Sequence, residues 1–382
     1  MKKQLKALAA SVSALCIAAS LSTSLTASAI TLYPKTVMTK SSYMWNSYRN
    51  STIKLEYCTS KTDYQDYLFE PGRNIRAVST SSAPGHTVNV NYNDNLGAYT
   101  GSYDYWQASQ CGLYNVEKAY DYFDNLGYTP TGLYVAINDH ATYMPGGNGG
   151  ERENAWALGN TLFFGLGSSD QSQESAVKFL GSATDVVTHE YGHLVTQAAF
   201  GWNDYSQLSR EAAALSEAYS DIFAELADEN NDWKVGATVF TKNGVTKPAG
   251  YYSFRDIANP ANTHNPKTPG ATYYTDYSQW QAAVAANPYA SNLDAAGSTV
   301  ISHVAYTMAQ SSYFVNNKEL LAKIWLVSLS KYNTTDTANI TFSDCRAAFL
   351  AAANEVMSQT GDPYYPSKVL HIITAFNAAG VY

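Results

Sequence analysis

Asp185-Val-Val-Thr-His189-Glu190-Tyr-Gly-His193 is the stretch from which the rest of this chain is read. Histidines four positions apart stand one above the other on a helix and can share one tetrahedral ion, while Glu190, one step round, reaches a water on that ion. Zinc in such a place lowers the pKa of its water towards about 7, and Glu190 is the base that takes the proton as a polarised carbonyl is attacked. Short motifs of this kind also arise by chance, so a third ligand has to be found. Thr196 and Ala199 occupy the positions where one extended form of the motif carries a glycine and a third histidine, which turns the search to a later helix. In Ala214-Leu-Ser216-Glu217-Ala-Tyr-Ser-Asp221-Ile-Phe223, the residues Leu215, Ala218, Tyr219, Ile222 and Phe223 form an apolar face and leave Glu217 and Asp221 on another. Glu217 is the candidate third ligand. Asp221 can then accept a hydrogen bond from the far ring nitrogen of a ligating histidine and fix its tautomer. Two acids on a helix are ordinarily solvated surface; the histidine pair is what gives them a metal reading.

Outward from this region, composition narrows the classes of function. The 382 residues carry 24 basic and 32 acidic side chains, a net charge of −8, with 45% hydrophobic and 15% charged residues. This is a folded chain, and the lack of any basic cluster after the first six residues argues against nucleic-acid binding. Lys2, Lys3 and Lys6 precede an apolar stretch from Ala7 to about Ala19, and a Ser/Thr-rich region ends in Ala27-Ser28-Ala29. That is the pattern of an export signal cleaved after Ala29, too short to span a bilayer, and no later segment is apolar enough to anchor the chain. The expected location is extracellular. Cys58, Cys111 and Cys345 remain after cleavage. An exported chain would pair Cys58 with Cys111, with three buried thiols as the alternative, and Cys345 sits in an apolar helical run as a small hydrophobe.

Residues 30–150 are rich in Tyr, Thr, Ser, Asn and Gly, with alternating pieces at 86–92 and 132–137 that predict strands, and one helix at 115–126. Beyond Gly167 long helices are predicted at 175–200, 211–229, 298–308, 318–331, 343–358 and 367–378. Between the second and third lies a Pro/Asn/Thr/Tyr-rich stretch, 247–294, that reads as an extended loop region.

The two helical runs, taken with Glu153-Asn154-Ala155-Trp156, Leu162-Phe-Phe-Gly-Leu-Gly167, Asp232-Trp-Lys-Val-Gly236, Phe254-Arg255-Asp256 and Ser298-Thr-Val-Ile-Ser-His-Val-Ala-Tyr306, resemble the thermolysin family of secreted neutral metalloendopeptidases. The resemblance runs from about Tyr67 to the end. It implies an α+β, two-lobed fold: a β-rich amino-terminal lobe, a mainly helical carboxy-terminal lobe and a zinc site in the cleft. The expected divisions are an export signal at 1–29, a short pro-like or amino-terminal extension at 30–66, the first lobe at 67–200 and the second at 201–382. Carried over residue by residue, the resemblance implies zinc ligands His189, His193 and Glu217, Glu190 as general base and Asp221 behind the ligands. It further implies that Asn154 and Ala155 hold the substrate backbone and that Arg255 grips the substrate carbonyl beyond the scissile bond. Val186, Val235, Val239 and Phe254 would correspond to a pocket for a bulky apolar residue, and are equally explicable as core. Protein or peptide substrates and a monomeric chain are expected.

Departures from the family pattern are as informative. The histidine that donates to the developing oxyanion has its place at Ala295, and no histidine stands in Asn292-Leu-Asp-Ala-Ala-Gly297. Removing one such donor costs about 10²–10³ in rate. Tyr205 and His264 are the candidate substitutes, and His303 matches a structural position. His193 and Glu217 are 24 positions apart, longer than the family pattern, and Ala213 and Ser216 replace a glycine and an asparagine of the third-ligand motif. Asp185, Asp228 and Asp232 match acidic calcium ligands, whereas Lys234 and Ala237 replace two further acids, so at most one calcium is expected. The alternative to an endopeptidase is a zinc-binding extracellular protein of the same fold with weak or absent catalysis and a binding role.

Overall fold

The computed structural model describes residues 43–46, 51–54, 58–59, 66–67, 69–70, 72–79, 102–129, 133–138 and 153–382, apart from 203–204, 291 and 361–363. The strand expected at 86–92 lies outside these residues. The described residues fall into two compact units, those within 1–194 together with 238–242, and those within 195–237 and 243–382.

In the first unit, β1 (Tyr43–Asn46) pairs antiparallel with β2 (Ser51–Lys54), and β3 (Cys58–Thr59) with β4 (Asp66–Tyr67). A five-stranded sheet follows from β5 (Phe69–Glu70), β6 (Ile75–Ser79), β7 (Leu133–Asn138), β8 (Ala155–Leu158) and β9 (Thr161–Gly165), in the order β5-β6-β7-β9-β8. β6, β7 and β9 run parallel, and both edge strands are antiparallel to their neighbours. The parallel step from β6 to β7 requires a crossover, and helix α1 (Ser102–Leu126) supplies it. α1 starts well before the expected Asn115. Ala108 and Cys111 prolong the buried stripe of Asn115, Ala119, Phe123 and Leu126 at spacings of three and four. Arg73 ties the turn after β5 to this helix through two 2.7 Å bonds to the Asp121 carboxylate. Cys111 is buried with its Sγ 3.8 Å from Asn115 Nδ2, while the side chain of Cys58, its expected partner, lies outside the described residues.

The helix expected to begin at Ser175 does not. Residues there are drawn into extended pairing: Val177 bridges Phe240, and its N–H donates to Ser168 Oγ at 2.9 Å. Gly167 makes this possible. It has φ +87°, and an added Cβ would lie 2.4 Å from the Val177 carbonyl oxygen. A 3₁₀ turn at Leu180–Ser182 then leads into α2 (Thr184–Phe200), whose start is fixed from α1 by Asn115 Nδ2 donating to the Gly181 carbonyl at 2.7 Å.

The second unit is helical: α3 (Arg210–Ala227), α4 (Tyr277–Ala286), α5 (Leu293–Ala309), α6 (Lys318–Ser328), α7 (Phe342–Thr360) and α8 (Tyr365–Ala378), with a two-stranded pair of β10 (Lys234–Val235) and β11 (Arg255–Asp256). α3 is its central element, packed on α5, α6 and α7. It is buried from Ala212 to Leu226 except at Glu217. Small residues on both partners, such as Ala214 and Ser220 on α3 and Ser298, Ser302 and Ala305 on α5, suit a close helix approach. α4 corrects the expected extended loop: Asp276 caps it by accepting from the Gln279 N–H at 3.0 Å, and Trp280 anchors it through a 2.9 Å bond to the Leu293 carbonyl. α5 likewise begins earlier than Ser298, so Ala295 lies in its first turn.

Candidate metal centre

α2 presents His189 and His193 one turn apart among the buried residues Val187, Tyr191, Leu194 and Val195. Both imidazoles and Glu190 are more than nine-tenths buried, although ionisable groups normally face water. Phe123 of α1 stacks on Tyr191 at 4.8 Å and holds the opposite side of this turn. The two rings are perpendicular, with their Nε2 atoms 3.1 Å apart. Four ligands at the usual zinc–nitrogen distance of about 2.0–2.1 Å stand about 3.3 Å from one another at the corners of a tetrahedron. The histidine pair fits that figure closely.

On α3, the apolar residues predicted to be buried are buried, and Glu217 is half-buried. Asp221 is not surface. It is fully buried, and Arg255 of β11 clasps it with Nε at 2.8 Å and Nη2 at 2.7 Å, while Ser298 of α5 donates to it at 3.4 Å. Arg255 Nη2 also lies 3.4 Å from Glu217 Oε2. Burial alone would lower the Arg255 pKa, but Asp221 and then Glu217 outweigh it, and the guanidinium stays firmly charged. His189, His193 and Glu217 form a candidate metal-holding group, a set of two nitrogens and one oxygen that suits zinc.

The other predicted residues are distributed as follows. Asn154 is exposed and Ala155 half-buried at the start of β8, the sheet's edge, where Trp156 stacks on Phe163 at 4.7 Å. Tyr205 lies in a 3₁₀ turn, Tyr205–Gln207, with its hydroxyl bonded to Ser216 Oγ. His264 is exposed and packs its ring 4.2 Å from that of Tyr251. His303 is half-buried and bonds the Ile257 carbonyl through Nδ1 at 2.8 Å. Asp228 and Asp232 group with Glu225, which the sequence reading passed over; its position one turn before Asp228 was the available signal. Burial raises the pKa of both Asp228 and Asp232. Lys234 turns its ammonium to Asp256 at 3.2 Å and to the Gly250 carbonyl at 2.9 Å. Asp185 accepts from the Val186 N–H at 2.8 Å at the start of α2. Cys345 is a free, buried thiol as expected, and burial pushes its pKa up to about 11.

Residues 206–381 match the family model described as thermolysin metallopeptidase, alpha-helical domain. The chain is 30% identical over 305 residues to the thermostable neutral protease NprT of Geobacillus stearothermophilus, covering 76% of this chain and 48% of that protein. It is 30% identical over 283 residues to a thermolysin of Alicyclobacillus acidocaldarius, covering 70% and 44%. It thus spans about half the length of these relatives. Among solved structures, the precursor of protealysin, a metalloproteinase from Serratia proteamaculans, has a similar fold, with a TM-score of 0.55 at 16% identity over 81% of this chain and 87% of that one. Sequence, family model and fold agree, and the chain is a divergent member of the thermolysin family.

Proposed function

We propose that this chain is a secreted zinc-dependent endopeptidase that hydrolyses peptide bonds and favours a bulky apolar residue after the scissile bond. The observation that carries this reading is the 3.1 Å separation of the His189 and His193 nitrogens beside a buried Glu190. Zinc, when held by His189, His193 and Glu217, supplies a Lewis acid and an acidified water. The chain's own residues do the rest. Glu190 takes a proton from the attacking water and delivers it to the leaving nitrogen. Asp221 keeps Arg255 charged and aligned, and Arg255 binds the substrate carbonyl beyond the scissile bond. Asn154 and Ala155 add the substrate backbone to the open edge of β8. Of the two candidate donors to the oxyanion, His264 is the one proposed for that role, because the Tyr205 hydroxyl is taken up by Ser216.

Secretion is supported by the leader pattern, and no described helix is long and apolar enough to cross a membrane. Calcium at Asp185, Asp228 and Asp232 belongs to the same proposal. The carboxylate of Glu225 joins the latter two, and hard oxygen donors of this kind suit that ion. One observation favours a second reading, a zinc-binding protein of weak catalysis: Ala295 offers only a methyl group where the family pattern has an imidazole.

Glu190→Gln tests the first reading, because the amide keeps the shape but cannot accept the proton. Zinc content should be unchanged and turnover of an unfolded protein substrate should fall by at least about 10². Cleavage at the wild-type rate would refute the assignment. A wild-type chain that binds zinc but cleaves nothing would favour the second reading.

A further inference from the structure

Hydroxyl groups are concentrated where the end of α2 meets α3. Thr196 stands three residues after His193, so the two project from one side of α2. Its Oγ1 is 3.5 Å from Ser216 Oγ, and Ser216 also bonds the phenol of Tyr205. Thr196 and Ser216 are both fully buried, whereas Tyr205 is 38% exposed, so the tyrosine reaches inward from the surface to meet them. Ser216 directly precedes Glu217.

The link that carries Tyr205 is fastened at both ends as well. Thr337 Oγ1 donates to the Phe200 carbonyl at 2.9 Å, and the Thr337 carbonyl accepts from Trp202 Nε1 at 3.1 Å. The Ser209 N–H donates to the Ala338 carbonyl at 2.8 Å, and Ser209 caps α3. A connection longer than the family pattern is therefore held at its start, middle and end.

Small, apolar helix faces can slide against each other at little cost, but buried hydroxyls are satisfied in few arrangements, and each one left unmatched costs about 1–3 kcal/mol. Alanine would fill the Ser216 position in the same packing, next to Ala212, Ala213 and Ala214. The hydroxyls therefore specify one register. We infer that Thr196, Ser216 and Tyr205 are positioning residues: their bridge sets the register of α3 against the end of α2 and so holds Glu217 at coordinating distance for the ion shared by the two histidines. This rests on the zinc reading above.

Zinc affinity, measured by competition with a chelator on the full chain, tests the bridge without reference to peptidase activity. Ser216→Ala, Tyr205→Phe and Thr196→Val should each weaken zinc binding roughly 10-fold, the size typical of a lost outer partner of a ligand. Because Ser216 and Tyr205 share one bond, their double variant should lose no more than either single one. Thr196→Ser, which keeps the hydroxyl, should restore the affinity. A merely structural role would lower the melting temperature of the zinc-free forms and leave zinc affinity within two-fold of wild type, about the scatter of the measurement, and that result overturns the inference. Multiplying losses in the double variant do so too. Glu217→Ala is the control: if it also binds zinc as tightly as wild type, the ligand assignment itself has failed and the bridge falls with it.

Discussion

Arg255 and Asp221 show what single residues contribute beyond the motif. Asp221 is fully buried and relies on the paired bonds from Arg255, and the same guanidinium reaches Glu217. Removing one partner of a buried pair leaves the other charge uncompensated, at a cost of about 3–5 kcal/mol. Arg255→Met should therefore lower unfolding free energy by about that amount in chemical denaturation. A loss under about 1 kcal/mol would mean that the pair is dispensable. The juxtaposition of the His189 and His193 rings was legible in the sequence because residues four apart return to nearly the same side of a helix. The Arg255 clasp was not. Its partners are 34 positions apart, and an acid four residues after Glu217 looks like solvated surface until the tertiary fold encloses it.

Element boundaries were less legible than element types. Residues 175–179 have helical periodicity, yet Ser168, Val177 and Phe240 take them into extended pairing that only long-range contacts define. α4 went unread in a stretch rich in Pro, Asn and Tyr, although Asp276 three residues before Gln279 is a start signal of the capping-box kind. Its packing on α5 makes a sharp prediction. Gly297 lies in α5, where alanine would by propensity stabilise a helix by up to about 1 kcal/mol. A Cβ there would sit 2.4 Å from Trp280 Cε2. Trp280 is held by its bond to Leu293 and by stacking on Phe342 at 5.1 Å, so it cannot give way. Gly297→Ala should thus destabilise the protein by about 1–3 kcal/mol, read as a lower thermal midpoint. A raised midpoint would contradict the packing.

For the whole molecule, the family and the α+β class were readable because several motifs occur in the expected order. The purpose of the 31 tyrosines was not. The structure uses several as polar cross-links: Tyr219 to Ser328, Tyr277 to Glu211, Tyr273 to the Phe254 carbonyl and Tyr205 to Ser216. A phenol fills space like a hydrophobe and ends in a hydrogen bond, which lets a chain with 15% charged residues satisfy its buried polar groups. The central proposal is that His189, His193 and Glu217 are the ligands of one zinc. Metal analysis of the purified full chain tests it most directly, with wild type compared against Glu217→Ala. The account predicts about one zinc per wild-type chain and a large loss of zinc in the variant; a zinc-free wild type, or a variant that keeps its zinc undiminished, would contradict it.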